Sequence, residues 1–357
     1  MNDAHGDFLL YGATGYTGEL IARRAAGAGL RPVLSGRNGH AVAALAEELG
    51  LPHIAAAVDD AASLDQAIDL ISGPNCLVLN CAGPFARTAN QVSDACIRKR
   101  VHYLDITGEI GVFEMLAKKD GRAKNMDVML LPGVGFDVVP SDCLAAYVAR
   151  RLPSATRLVI AIHAGSRISR GTALTSLENM GSGGAVRRSG RIERVPGAWK
   201  DRFIDFGAGP VRVTTMPWGD VATEWYSTGI PEIEVYMAIP VGMRRLLRYG
   251  RIAMPILSSS PVKKWLASRV LRGPTGPTTE QRARGRSRFR AEVSDEAGNR
   301  FTALLFAPEG YELTVRTALE CVGRTIRGNA QPGFQTPSRV FGPDLVLSIE
   351  GVHREDA

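Results

Sequence analysis

Three carboxylates, Asp105, Glu109 and Asp137, follow two short apolar runs, Val101 to Ile106 and Val128 to Leu131. A carboxyl withdrawn from water at the end of a buried run keeps its proton near neutral pH and can donate it to a reacting carbon or heteroatom. His102 and Tyr103 stand beside them as further proton donors. Two structural roles compete with this one: Asp105 can simply hold its loop, and Asp142, after Ser141 and before an apolar helix, reads as a helix cap. His163 lies in an alternating run and reads as a packed residue.

Near the start of the chain, Gly12-Ala13-Thr14-Gly15-Tyr16-Thr17-Gly18 places three glycines at i, i+3 and i+6 directly after the apolar run Phe8 to Tyr11. The spacing suits a strand that ends in a tight turn and starts a helix whose free N–H groups face a dinucleotide pyrophosphate. Gly12 and Gly15 would let the backbone approach that ligand, and Gly18 would let the helix pack against the strand. The second strand ends in Ser35-Gly36-Arg37-Asn38, without the acid that usually accepts from the ribose of NAD. Ser35 and Asn38 can bond phosphate oxygens and Arg37 supplies a planar cation, so NADP(H) is the expected cofactor. Asp59 is expected to accept from the adenine amino group. Asn80, Cys81, Ala82, Gly83 and Pro84, at the carboxyl end of the fourth strand, are expected beside the nicotinamide ribose.

The elements that must position these groups alternate. Strands are expected at Phe8 to Tyr11, Pro32 to Leu34, Ile54 to Val58, Cys76 to Asn80, Val101 to Ile106 and Val128 to Leu131. Helices fall between them, one from about Ala89 to Lys99, and Pro140 to Arg151 closes the series. Repeated βαβ units with right-handed crossovers give an α/β fold, a Rossmann doubly wound parallel sheet. From Arg157 the texture changes: Arg157 to Ala164 alternates, Thr172 to Met180 is helix-like, and Gly181 to Gly184 reads as a flexible break. Phe289 to Val293 and Phe301 to Ala307 flank the turn Asp295-Glu296-Ala297-Gly298-Asn299, and Tyr311 to Arg327 reads as one helix. A second α+β domain of antiparallel strands is expected to shape the substrate pocket. The expected division is 1–151 for nucleotide binding, 152–310 for substrate and 311–357 for a C-terminal helix and tail.

The net charge of +7 is local, because Val235 to Thr279 holds no Asp or Glu and eight cations: Arg244, Arg245, Arg248, Arg251, Lys263, Lys264, Arg269 and Arg272. Apolar residues are interleaved with them, a mixture suited to an anionic membrane surface or an acidic carrier protein, and equally to a solvated helix pair. Nucleic acid is not an expected partner, and a homodimer is left open. Five cysteines without a Cys-x-x-Cys pair or clustered histidines argue against a disulfide framework and against a metal site. With a polar, acidic N-terminal stretch and no long apolar span, a cytoplasmic protein is expected, peripheral at the inner face of the membrane if the basic segment docks there.

Tyr11 to Gly18, Asn-Cys-Ala-Gly-Pro-Phe at Asn80 to Phe85, Tyr-Leu-Asp-Ile-Thr-Gly-Glu at Tyr103 to Glu109 and Pro-Gly-Val-Gly-Phe-Asp-Val-Val-Pro-Ser-Asp at Pro132 to Asp142 carry a resemblance. In this order they resemble the saccharopine dehydrogenase-like oxidoreductases, nearest to the trans-acting enoyl reductases of bacterial lipid and polyketide synthesis. The loop near Gly276 and Gly-Phe-Gln-Thr-Pro at Gly333 to Pro337 extend the likeness. It implies a Rossmann domain, an inserted α+β domain and a C-terminal segment that returns to the first. The expected activity is NADP-dependent reduction of an enoyl or acyl substrate, free or carrier-bound. Two alternatives stay open: a saccharopine- or opine-type reductase that fixes carboxylates with Arg187, Arg188, Arg191 and Arg194, and a non-catalytic NADP-binding module that docks lipid or protein.

Overall fold

The structure, a computed structural model, describes residues 6–165, 168–178, 183–249 and 259–357. The chain forms two compact units, one of residues 1–136 and 314–341, the other of 137–313 and 342–357.

The first unit is built on β1 (Leu9–Tyr11), β2 (Val33–Gly36), β3 (His53–Ala55), β4 (Leu77–Asn80), β5 (His102–Asp105) and β6 (Met129–Leu131). The spatial order is β3-β2-β1-β4-β5-β6, and every pairing is parallel. Helices cover both faces of such a sheet, so its strands are apolar throughout instead of alternating; Leu9, Leu10, Val33, Leu34, Leu77, Val78, Leu79, Leu104 and Met129 to Leu131 are all buried. A seventh strand, Gly333–Phe334, pairs in parallel with β6. The third strand is shorter and earlier than the expected Ile54 to Val58, because Ala56 N–H bonds Gly36 and the chain then turns so that Asp60 can cap helix Ala61–Ile68. The fourth helix begins at Phe85, directly after Pro84, four residues before its expected start.

The second unit holds a nine-stranded sheet that includes β7 (Arg157–Ala164), β8 (Gly184–Arg188), β9 (Arg191–Val195), β10 (Asp201–Asp205), β11 (Pro210–Thr215), β12 (Glu232–Met237), β13 (Arg286–Ser294) and β14 (Arg300–Pro308), with His353–Asp356 at one edge. It is mixed rather than wholly antiparallel, since β12 and β7 run parallel. The β13–β14 hairpin closes on Asp295, which accepts from the backbone and side-chain amides of Asn299. Val159, Ala161, Ile204, Phe206, Val213 and Tyr236 form a core on one face, and the His163 ring packs 5.5 Å from that of Phe206. The break expected at Gly181 to Gly184 is in part the start of β8; Met180, Gly181 and Ser182 lie outside the described residues. Among the described residues no helix is long and apolar enough to cross a membrane. All five cysteines are free thiols.

Helix Val139–Arg151 packs on helix Asp220–Thr228, and three acids meet there out of water. Asp142 is not a cap: it sits inside the first turn after Val138, fully buried, and accepts from the Ser227 hydroxyl. Asp220 and Glu224, one turn apart, are also fully buried, close to each other and to the Ser141 hydroxyl. Burial raises Asp220 to about 7 and Glu224 well above its ordinary value, with the Asp142 charge pushing both the same way. A carboxyl whose pKa is raised by folding favours the native state below its unfolded pKa and loses that advantage as pH rises through the folded one. Asp220→Asn is therefore expected to add stability that grows from pH 4 and levels off above about 7, reaching on the order of 1–3 kcal/mol. Denaturant midpoints at pH 4.5, 6 and 8 check this; a gain independent of pH would show that Asp220 is not buried as an acid.

Candidate functional site

The turn after β1 is locked before any ligand is considered. Gly12 and Ala13 N–H both donate to Ser35 carbonyl oxygen, at 2.8 and 3.1 Å, and Cys81 N–H donates to Tyr11 at 2.7 Å. Gly12 has φ +84, and a Cβ there would lie 2.6 Å from the Ala82 nitrogen; one on Gly18 would lie 2.2 Å from the Gly12 oxygen. Both glycines are thus demanded by contacts within the unit. Gly15 is not: its φ is −74, and an added Cβ would meet only the Gly12 oxygen, at an ordinary 3.4 Å. It is exposed, begins helix Tyr16–Gly27, and has no side-chain cap. A helix N-terminus left open in this way favours an anion, and a glycine with room around it lets a phosphate approach. Thr14 is exposed, Tyr16 and Thr17 are half-buried, and Ala13 is buried.

At the tip of β2 the guanidinium of Arg37 is exposed and has no hydrogen bond or ion pair among the described residues. It lies close enough to Tyr11 to oppose the rise of that phenol, which burial pushes up to about 12. Asp59 acts on Tyr11 in the opposite sense, from the turn after β3. Ser35 is fully buried with its hydroxyl unpartnered, so what it gives the turn is its carbonyl. Asn38 caps helix Gly39–Leu49 by accepting from Ala41 N–H, which leaves its amide nitrogen facing solvent. An unpaired cation and an amide, with no acid on the strand tip, fit the 2′-phosphate of NADP.

The ends of β4, β5 and β6 are joined by one buried network. Asn80 Nδ2 donates to Tyr103 Oη at 3.2 Å, and Tyr103 Oη donates to Asp105 Oδ2 at 2.7 Å. Asp105 Oδ1 accepts from Thr107 and Gly133 N–H, at 2.9 and 3.0 Å. Burial raises Asp105 to about 6, against the pull of these donors. Asn80 Oδ1 accepts from Ala82 N–H, and Thr88 closes the same loop on the Ala82 carbonyl. Glu109 crosses to the start of helix Phe85–Lys99 and accepts from Phe85 and Ala86 N–H, an anion on a helix N-terminus. Cys81 is buried with its thiol pushed up by desolvation, which leaves it unsuited to nucleophilic chemistry. Gly83 and Pro84 complete the link to the helix and are both partly exposed.

The three sequence-derived acids therefore differ in what occupies them. Asp105 and Glu109 are committed to backbone N–H groups. Asp137, the first residue of the second unit, is partly buried, and among the described residues no donor reaches its carboxyl. Burial alone raises it to about 7. Trp218 Nε1 fixes its backbone by donating to the Asp137 carbonyl at 2.9 Å. Burial raises the phenol of Tyr311, the Asp137 charge adding to the rise, and the phenol accepts from Ser169 N–H at 2.6 Å. Tyr311 was outside the candidate residues because nothing local links it to a position 174 residues earlier. The same holds for Thr314 and Thr317, which bond Phe136 N–H and the Val134 carbonyl and fix the loop after β6. The arginine segment is not a carboxylate clamp: Arg187 is buried, donates to the Val221 and Gly190 carbonyls and stacks on Trp225. Arg188 pairs with Glu193, and Arg191 and Arg194 are exposed on β9.

Comparisons with known proteins bear on the first unit and on the fold. Residues 8–131 match the family model of the saccharopine dehydrogenase NADP binding domain. A mouse saccharopine dehydrogenase-like oxidoreductase is 27% identical over 50% of this chain and 47% of its own length. A trans-acting enoyl reductase of Mycobacterium leprae is 31% identical over 41% of this chain and 36% of its own. The chain thus spans half or less of these curated relatives. Apo saccharopine dehydrogenase (L-Glu forming) of Saccharomyces cerevisiae shares the fold along 99% of this chain and 100% of that one, with a TM-score of 0.65 at 11% identity.

The two exposed-side glycines separate folding from binding. Gly12→Ala is expected to lower stability by about 2–4 kcal/mol through clash and positive φ, whereas Gly15→Ala should melt like the parent and bind NADPH about tenfold more weakly. Calorimetry paired with nucleotide titration checks both, and the assignment of Gly15 fails if its variant binds normally. Arg37→Glu should weaken NADPH by about a hundredfold and leave NADH nearly unchanged; equal losses for the two nucleotides would remove the 2′-phosphate role.

Proposed function

We propose that the chain, whose residues 8–131 match the family model of the saccharopine dehydrogenase NADP binding domain, is an NADP-dependent oxidoreductase that reduces an enoyl or related acyl substrate of lipid or polyketide type. NADPH, when bound, supplies the hydride to one carbon of the double bond. The turn from Gly12 to Gly18 binds the pyrophosphate, Arg37 binds the 2′-phosphate, and the Asn80–Tyr103–Asp105 network holds the strand ends that face the nicotinamide. Asp137 delivers a proton to the neighbouring carbon.

The observation that carries this reading is the state of Asp137. It alone of the three acids has a carboxyl without donors among the described residues, and its pKa of about 7 leaves about half of it protonated at neutral pH. The acyl class is supported by the names of the mycobacterial enoyl reductase relatives, and Arg187, one of the arginines the alternative needs, is bonded to the Val221 and Gly190 carbonyls. A substrate with several carboxylates needs paired cations in its pocket.

The test is NADPH oxidation against a panel of enoyl thioesters. Asp137→Asn is expected to lower kcat by about a hundredfold with unchanged affinity for NADPH. In the parent enzyme kcat should be steady below pH 6 and fall as pH passes about 7, since the acid must be protonated to act. Full activity in Asp137→Asn would remove the proton-donor role. NADPH binding without turnover on any thioester, keto acid or imine would favour the non-catalytic alternative.

A further inference from the structure

The helix Val241–Tyr249 in the second unit is mounted the wrong way round for a surface helix. Its polar side faces the protein: Arg248 donates to the Ala198 carbonyl and pairs with Asp201 at 3.0 Å, and the Leu247 backbone lies over Gly197. The residues turned outward are Met243, Leu246 and Tyr249, the last 72% exposed, together with the exposed cation Arg245. Amphipathic helices that pack on a protein present their apolar stripe inward.

Helix Ser260–Arg272 turns Val262, Leu266 and Val270 inward, half-buried, and still leaves an aromatic ring and cations outside. It packs on helix Arg170–Glu178, and Lys263 is drawn inward to the Glu178 carbonyl at 2.9 Å. Its exposed residues include Lys264, Trp265, Arg269, Leu271 and Arg272, with the Arg269 guanidinium 5.3 Å from the Trp265 ring centre and Trp265 itself 58% exposed. Arg245, Lys264 and Arg272 have no anionic partner among the described residues. No acid occurs between Val235 and Thr279 to neutralise them. Arg251, counted with this segment in the sequence, lies outside the described residues.

We propose that these two outward faces dock the chain on an anionic lipid surface. The cations meet lipid phosphates, while Trp265, Tyr249 and Leu246 enter the headgroup region, the depth at which rings with one polar edge are most stable. A bare polyanion would satisfy the charges alone and leave these apolar side chains uncovered. A bilayer takes both components at once.

The test uses the full chain with vesicles of phosphatidylcholine, pure or containing roughly 30% phosphatidylglycerol, read by co-sedimentation and by quenching of tryptophan emission with brominated lipid. Binding is expected only with phosphatidylglycerol and to fall about tenfold between low salt and about 0.5 M NaCl. The pair Arg245→Glu and Lys264→Glu should abolish it, with NADPH affinity and melting unchanged. In Trp265→Phe the vesicles should still bind and the quenching should largely disappear. Equal binding to neutral vesicles, or none to anionic ones, overturns the proposal. So does capture by soluble polyglutamate as tight as by vesicles with no quenching, which assigns the face to an acidic protein.

Discussion

The carboxylate of Asp105 is the constraint on which the cofactor-facing rim of the first unit depends. Parallel strands are held to each other along their length by the ladder, but at their carboxyl ends the chain leaves the sheet in separate loops that nothing regular ties together. Asp105 supplies that tie. One oxygen gathers the N–H groups of its own loop and of the loop after β6, and the other takes the Tyr103 hydroxyl, through which Asn80 and the loop after β4 are joined. Each link is out of water, where an unpaired polar group is costly and a satisfied one is rigid. The loops that should face the nicotinamide are therefore fixed relative to one another before any nucleotide binds.

The same chemistry explains why Asp105 and Asp137 do different things. Desolvation raises both, yet Asp105 is surrounded by donors that favour its charged form, and Asp137 has none among the described residues. Residue type and position at a strand end are shared; the donor count separates the acid that ties loops together from the one left without donors among the described residues. In the second unit Asp142, Asp220 and Glu224 show a third outcome, in which acids are buried against each other and the cost of ionising one is raised by its neighbours. Among the described residues these side chains form no metal-binding group.

How much of this was legible in the chain follows from how local each signal is. The parallel sheet reads easily because strands buried on both faces are uniformly apolar, and the glycine turn reads because its three positions lie within seven residues. The start of the fourth helix was hidden by Ala82-Gly83-Pro84, residues that signal a loop, although Pro84 is also well placed just before a helix. Strands β8 to β12 were obscured by their half-exposed, arginine-rich pattern, and Arg187 looked available only because its partners, Val221 and Trp225, lie more than thirty residues away. Tyr311, Thr314 and Thr317 act on residues from the other end of the chain. No spacing rule reaches that far.

The seventh strand of the first sheet has a consequence for how the protein is made. Gly333–Phe334 covers the open side of β6, and Phe334 N–H bonds Asp120 beside it. On a ribosome β6 emerges long before its neighbour, since residues 137–313, the bulk of the second unit, are synthesised in between. Until then the sheet ends in a bare, apolar edge of Met129, Leu130 and Leu131, the kind of template on which a foreign strand can add. The first unit thus begins before the second and completes its sheet only after most of the second has been made.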